Sequence, residues 1–513
     1  MRLTTTCYGA LPDCLEMRSI QALIAPPGAG KTTWLINHIN DNQDQRSIIA
    51  FPTKYLSAEV QSRLANLKLS FNAINSDTVD GSVIRCLEEA LLSHNDQIII
   101  CTHESLRLIK AETLQDWHLY IDEIPTTWDC DTLSFNDLSY RTALEQFVEP
   151  DGESRNRLKA KANCKQLMET LANQADSALS GEARRLLKAL LDERYIIEVD
   201  ELDINQVRTV RVVGIKQYIP VFEAAKTTVV MGAEIERSLL GVSLKGAGWT
   251  VTPIDANLGF KGYGNKVTIH PFLAANETYS KSKALLKSGK IKASYKEGCL
   301  LDEWLQHDVF RIIGSKKAIL VAHSWCNPKL PITEDGQSNI ARTNIDSRGL
   351  NEYDDYRIAI CLQHGNLTPF ENDRSTPTLA KLLSTKHEIN ASDIKDAIKY
   401  ERFYESTLQS VCRTALRSQA DQGDITLFVQ DQDIATFLSS KIGNCKIDES
   451  YSIAAVRADS AATVNRHRLM HKAITLSDQG HDPHFIAAQI NRNVRTVRNW
   501  LKSYRQLRSI QER

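Results

Sequence analysis

Nine short apolar runs, separated by stretches with helical spacing, constrain this chain more than any other feature. They are "SIQALIA" (19–25), "SIIAFP" (47–52), "QIIICT" (97–102), "HLYIDE" (118–123) and "TTVVMG" (227–232), then "KVTIHPF" (266–272), "AILVAHS" (318–324), "YRIAICL" (356–362) and "DITLFVQ" (424–430). Apolar strands alternating with helices are the pattern of parallel α/β sheets covered on both faces. The runs fall into two groups, so the expected fold class is α/β with two parallel-sheet domains in tandem, residues 1–250 and 251–447. A chain of 513 residues has room for both, since a domain takes on the order of 100–200 residues.

Two regions depart from the alternation. About a hundred residues separate the fourth and fifth runs, far more than an ordinary connection, so an insertion is expected at about 130–217. "RNRLKAKANCKQLMETLANQA" and "GEARRLLKALLDERY" read as mostly helical, followed by strand-like "YIIEVDEL" and "RTVRVVGI". Such an insertion can simply pack on the first domain, or grip nucleic acid through Arg155, Arg157, Lys159 and Lys161. The second departure is the tail. Residues 463–513 carry ten Lys/Arg against three acids, a net +7, although the whole chain balances 62 basic against 63 acidic residues. A basic end on an acidic body suits a polyanion partner.

That tail, joined by a small, polar linker at 448–462, reads as three helices: "HRLMHKAITLSDQG", "PHFIAAQI" and, after the turn "NRN", "VRTVRNWLKSYRQL". Ile486, Ala487 and Ile490 would pack on Val494, Val497 and Leu501, with Asn491 taking a left-handed turn. Arg495, Thr496, Arg498, Asn499 and Lys502 then face outward, where they can meet base edges and phosphates in a major groove. The expectation is a small all-α helix-turn-helix domain at 463–513 that binds duplex DNA; a three-helix protein-contact module is the alternative.

The eleven cysteines show no CxxC, which argues for reduced thiols rather than a disulfide frame or zinc site. No apolar run approaches the roughly 20 residues that span a bilayer, and the N-terminus lacks a signal-peptide core. A cytoplasmic protein without a membrane partner is expected.

The chemistry begins at "LIAPPGAGKTTWL", Leu23 to Leu35, where an apolar strand runs through a glycine loop into a helix. Gly28 and Gly30 let backbone N–H groups close around phosphates, Lys31 reaches the outer oxygens and Thr32 is placed to ligate Mg²⁺. Ala25 stands where the phosphate-loop pattern has its first glycine. Downstream, Asp122 and Glu123 end a strand; an Asp there can share the Mg²⁺ with Thr32, and the adjacent Glu can deprotonate an attacking water.

In order, these motifs resemble the superfamily 2 helicases and translocases. "APPGAGKTT" is similar to the family's motif I, "FPTKYLSAEV" (51–60) to motif Ia, "CTHESL" (101–106) to motif Ic and "IDEIP" to motif II. "ILVAHS" is similar to motif IV, "SRGLNEYDDY" (347–356) to motif V and "QSVCRTALR" (409–417) to motif VI. Motif III is kept only loosely, as Gly232, Ala233 and Glu234.

The resemblance implies two RecA-like domains with Mg·ATP between them. Ala25, Pro26, Pro27, Gly28, Ala29, Gly30, Lys31, Thr32, Thr33, Asp122 and Gly349 would hold the nucleotide, with Thr32 and Asp122 on the metal. Glu123 would be the general base, and Lys31, Gln409, Arg413 and Arg417 would complete the catalytic set. Arg413 and Arg417, four apart, read as one helical face from which either could be the arginine finger. Pro52, Thr53, Thr102, His103 and Arg348 would hold a single nucleic-acid strand; ordinary strand capping is the other reading of Thr53 and Thr102.

The function this implies is an ATP-dependent DNA helicase or translocase, with single-stranded DNA in the motor and duplex DNA at the tail. The combination also resembles viral origin-binding helicases, hence replication of a mobile element. An ATP-gated DNA-binding regulator and an RNA helicase are the alternatives.

Overall fold

The computed structural model describes residues 18–152, 154–173, 179–200, 206–292, 294–334, 336–343, 345, 352–418, 423–453, 469–470, 472–477, 479–490 and 492–501. The first five strands are β1 (Ser19–Ile24), β2 (Ser47–Phe51), β3 (Asn72–Ala73), β4 (Ile98–Thr102) and β5 (His118–Asp122). The chain then makes β6 (Trp128–Asn136), β7 (Val148–Asp151), β8 (Ser154–Ala160), β9 (Tyr195–Val199) and β10 (Val207–Ile215). It returns for β11 (Thr227–Gly232) and β12 (Thr250–Pro253). The remainder is β13 (Val267–Pro271), a small hairpin of β14 (Leu286–Lys287) and β15 (Lys290–Ile291), then β16 (Ala318–Val321), β17 (Ile340–Thr343), β18 (Ile358–Cys361), β19 (Ile425–Val429) and β20 (Cys445–Ile447).

Two parallel sheets result. The first runs β12-β1-β11-β5-β2-β4-β3 and the second β17-β16-β18-β19-β13-β20. All nine expected strands are present; β2, β5, β16 and β18 are buried at every residue, and β1 at Ile20, Ala22 and Leu23. Each sheet has an apolar cluster on both faces, because successive side chains in a strand point to opposite sides and both sides are covered by helices. At about 1.5–3 kcal/mol per fully buried aliphatic or aromatic side chain, these layers are the main source of stability.

Three features differ from the sequence expectation. The first sheet extends past 250, since β12 pairs with β1 through Ser19 opposite Thr250; a break at 250/251 falls inside a strand. The insertion is not mostly helical. It is an antiparallel sheet, β6-β10-β9-β8-β7, with the helices Lys165–Asn173 and Gly181–Leu191 packed against it. "RNRLKA" in β8 alternates polar and apolar, and with Leu158 and Ala160 buried the period of two prevails over the helical spacing. Its cations are also committed locally: Arg157 pairs with Asp151, Lys159 with Glu149, and Lys161 donates to the carbonyls of Glu145 and Gln146. Each of these three cations thus has a local partner; the side chain of Arg155 lies outside the described residues.

The third difference is the start of the linker. Residues 448–453 pack on the second sheet, with Trp304 Nε1 donating to the Tyr451 carbonyl at 2.9 Å and Ser452 Oγ to that of Pro271 at 2.7 Å. Residues 454–462 lie outside the described residues. In the tail, residues 469–470 and 472–477, Pro483–Gln489 and 494–501 are helical. Ile486, Ala487, Ile490, Val497 and Leu501 are buried together with Ala473 and Trp500. Among the described residues no helix is long and apolar enough to cross a membrane.

Candidate functional site

The strand β1 ends at the glycine loop, and α1 (Lys31–Asp41) starts directly after it. Gly28 and Gly30 have φ of 79° and 90°, the left-handed region where a side chain is strained, so the loop's tight curl depends on them. The Lys31 ammonium donates to the carbonyls of Ala25 at 2.7 Å and Pro26 at 3.1 Å, folding back over the loop. Parallel pairing of β1 with β11 and of β11 with β5 brings the ends of all three strands together. Thr32 Oγ1 consequently donates to Asp122 Oδ2 at 3.3 Å.

A cleft of about 260 Å³ opens here. Its first-sheet wall includes Pro27, Gly28, Gly30, Lys31, Thr32, Thr33, Asp122, Glu123, Gly232 and Ala233; its second-sheet wall includes Glu405, Gln409, Cys412, Arg413 and Arg417. Residues almost 400 positions apart thus face one space. Burial lowers the Lys31 ammonium from its ordinary value, against the pull of Asp122, Glu123 and Glu405. Burial, and then the neighbouring Glu123, push Asp122 up to about 6, against the attraction of Lys31 and the Thr32 hydrogen bond.

This shift has a stability consequence. The folded value of Asp122 lies above its ordinary 3.8, so between 3.8 and about 6 the native state binds more protons than the unfolded chain. Ionising Asp122 therefore costs stability in the nucleotide-free protein as pH rises through that window. Asp122→Asn is expected to flatten the slope and raise the thermal midpoint at neutral pH; a midpoint at or below that of the wild type would contradict it.

Glu123 adopts φ 64°, unusual for a residue with a side chain, and such strain collects at functional positions. Behind it, the His103 ring donates from Nε2 to the Asp122 carbonyl at 3.0 Å, and Tyr218 OH donates to the His103 carbonyl at 3.3 Å. His103 is buried. It braces the acidic strand end and is not presented to a nucleic-acid surface, contrary to the expectation from motif Ic. Thr53 caps α2 (Lys54–Asn66), accepting from Leu56 N, and Thr102 accepts from Ser105 N. Both hydroxyls thus cap helix starts rather than strands, and beside them Pro52 is half-buried.

Arg413 and Arg417 do not share a helical face. The helix Ser406–Val411 ends before them, Thr414 starts a separate 3₁₀ turn, and its Oγ1 accepts from Leu416 N. The break puts Arg413 inside and Arg417 at the surface, where its side chain packs on Gly28: a Cβ there would lie 2.8 Å from Arg417 Cγ. Of the remaining candidates, Arg495, Arg498 and Asn499 are exposed on the tail and Thr496 is half-buried. Arg348, Gly349, Asn491 and Lys502 lie outside the described residues.

Several cleft residues escaped the sequence reading. Glu405 is buried and accepts from Gln409 Nε2 at 3.3 Å, one helical turn away, a spacing that could have flagged it. Tyr263 OH donates to the Pro27 carbonyl at 2.8 Å and accepts from the Cys412 thiol, tying the glycine loop to the second sheet's unit. Arg63 donates to Thr33 Oγ1 at 2.9 Å. Nothing local in the sequence marks Tyr263 or Arg63.

No protein-family profile matches the chain, and no curated protein sequence matches it. Among solved structures it is similar to S. tokodaii Xpd4, at 11% identity over 84% of this chain and 96% of that one, TM-score 0.47. It is also similar to S. cerevisiae Dbp5 bound to RNA and ADP BeF3, at 10% identity over 86% of each chain, TM-score 0.36. A further likeness is to the Mycobacterium smegmatis helicase Lhr bound to ssDNA and AMP-PNP, at 12% identity over 90% of this chain and 50% of that one, TM-score 0.34.

Proposed function

We propose that this chain is an ATP-dependent DNA helicase or translocase. The observation that carries the reading is the single cleft in which the phosphate loop and acidic pair of the first sheet meet Gln409, Arg413 and Arg417 of the second. A nucleotide held there touches both units, so its hydrolysis can drive their opening and closing.

In this reading the backbone of Gly28 to Thr32 cradles the ATP phosphates, and Lys31 neutralises the outer oxygens. The donor set of Thr32 hydroxyl and Asp122 carboxylate is of hard oxygens at 3.3 Å from one another, which fits Mg²⁺. When bound there, Mg²⁺ neutralises charge on the phosphate oxygens. Glu123 takes the proton of the attacking water, and Gln409, held by Glu405, orients it. Arg417, lying on Gly28, supplies the finger, while buried Arg413 lines the same cleft. A strand of DNA passes over Pro52, Thr53, Thr102 and Arg348 by its phosphates, and the basic tail takes duplex DNA as a helix-turn-helix through Arg495, Thr496, Arg498, Asn499 and Lys502. Replication or maintenance of a mobile element is the setting this combination suits.

ATP turnover measured alone and with single-stranded DNA, duplex DNA and RNA tests the reading. Stimulation by single-stranded DNA is expected; turnover indifferent to every nucleic acid would leave a nucleotide-gated DNA binder instead. Removing residues 463–513 is expected to preserve stimulated turnover and abolish sequence preference on duplex DNA, read by competition binding.

A further inference from the structure

We propose that His323, Trp325 and His364 form a shelf on which bases of a single-stranded nucleic acid stack, with Lys281 and Arg342 taking the adjoining phosphates. This rests on the nucleic-acid reading above and adds to it the residues that grip bases.

The shelf follows from topology. β16 and β18 are neighbouring parallel strands, paired through Ile319 opposite Ala359, so the residues just beyond their ends lie side by side. His323 and His364 rings meet at 4.3 Å between centroids, and Trp325 lies 6.3 Å from each with near-parallel planes, 17° and 28°. All three rings are half-buried, unlike the sealed aromatic residues of the cores. The arrangement is held in place, since His364 N donates to His323 Nε2 at 3.1 Å. That bond also requires an unprotonated Nε2 on His323. Burial, together with His323 and Lys281, pushes His364 down to about 4, so the ring is neutral at physiological pH. Among the described residues, His364 Nδ1 and Trp325 Nε1 are buried without a hydrogen-bond partner, so the accessible parts of these rings offer a strand stacking surface rather than hydrogen bonds.

Charge is arranged to suit a polyanion passing on one side only. Exposed Lys281 sits over the Trp325 ring at 5.7 Å, and exposed Arg342 is fixed beside His323 by bonds to the Cys326 carbonyl at 2.6 Å and Asn327 Oδ1 at 2.5 Å. The cleft lined by His323 and His364, about 460 Å³, has Asp129, Asp131 and Glu401 on its other walls, with Arg402 there paired to Glu371. Those acids repel phosphate, so the backbone runs along Lys281 and Arg342 with the bases turned inward. Stacking against aromatic faces flanked by cations is how single strands are held without base-specific readout. The same cleft shares Glu123, Glu405 and Gln409 with the nucleotide cleft. A base on the shelf therefore lies in a space continuous with the groups proposed to act on ATP.

The test uses the full chain and three probes: a dT 20-mer, an abasic 20-mer of the same backbone, and an rU 20-mer. Wild-type protein is expected to bind the dT probe about 5- to 100-fold more tightly than the abasic one, the range that stacking on aromatic side chains supplies. In Trp325→Ala and His364→Ala that preference should collapse towards one, for dT and rU alike, while Trp325→Phe retains it. Lys281→Ala and Arg342→Ala should weaken dT and abasic binding equally and each reduce the salt slope by about one. Equal wild-type affinity for dT and abasic probes, or an undiminished preference in folded Trp325→Ala and His364→Ala proteins, would overturn the shelf and leave the nucleic-acid reading intact. Absence of wild-type binding to all three probes would overturn both.

Discussion

Glu123→Gln is expected to lower ATP turnover by about 10²- to 10⁴-fold, the usual worth of a positioned general base, without weakening nucleotide binding. The amide keeps the shape of the carboxylate but cannot accept the proton of water, so the loss should fall on kcat. Three observations place Glu123 for that role: it follows Asp122 at the end of β5, it lines the cleft opposite Gln409, and its backbone is held at φ 64°. The strain supplies a second measurement. A non-glycine residue in that region costs about 1–2 kcal/mol, so Glu123→Gly should lose turnover and yet melt higher than Glu123→Gln. Steady-state turnover and titration with a fluorescent nucleotide separate the effects. Turnover unchanged in Glu123→Gln would remove the motor reading.

Arg417→Ala carries the second large effect, a fall in turnover of about 10³- to 10⁵-fold if it is the finger. Arg413 and Arg417 both line the cleft but sit in different environments, which sets a different expectation for each. Arg417 is exposed at the cleft edge and packs on Gly28 of the glycine loop, beside the space proposed for the phosphates. Arg413 is 7% exposed, and its charge acts on Cys361 at the end of β18. Arg413→Ala should therefore depress the thermal midpoint more than Arg417→Ala, with the smaller direct loss in turnover. The reverse pattern, a silent Arg417→Ala and an inactive, normally folded Arg413→Ala, would transfer the role to Arg413.

Local chemistry accounts for what was readable. Buried parallel strands must be apolar along most of their length, so β1, β2, β4, β5, β11, β13, β16, β18 and β19 stand out from their surroundings. The edge strands β3 and β20, only two and three residues long and without a fully buried residue, leave no such trace. "RNRLKA" satisfied both a helical and an alternating pattern, and only the neighbouring strands β7 and β9 made it a strand. His103 illustrates a different failure: its position in a motif suggested a surface role, but burial turned its ring to the Asp122 carbonyl.

The sequence by itself determined the α/β alternation, the glycine loop between a strand and a helix, the acidic strand end and the basic tail. Each of these depends on neighbours a few residues away, through strand burial, glycine's freedom at positive φ, or summed charge. The tertiary structure alone decided that Arg417 rests on Gly28, that Tyr263 bonds to the loop, that Glu405 joins Gln409 in the cleft, and that His323, Trp325 and His364 form one aromatic surface. Those relations arise where the ends of paired strands and the two sheets meet, and such contacts between distant residues impose no periodic signature on the chain.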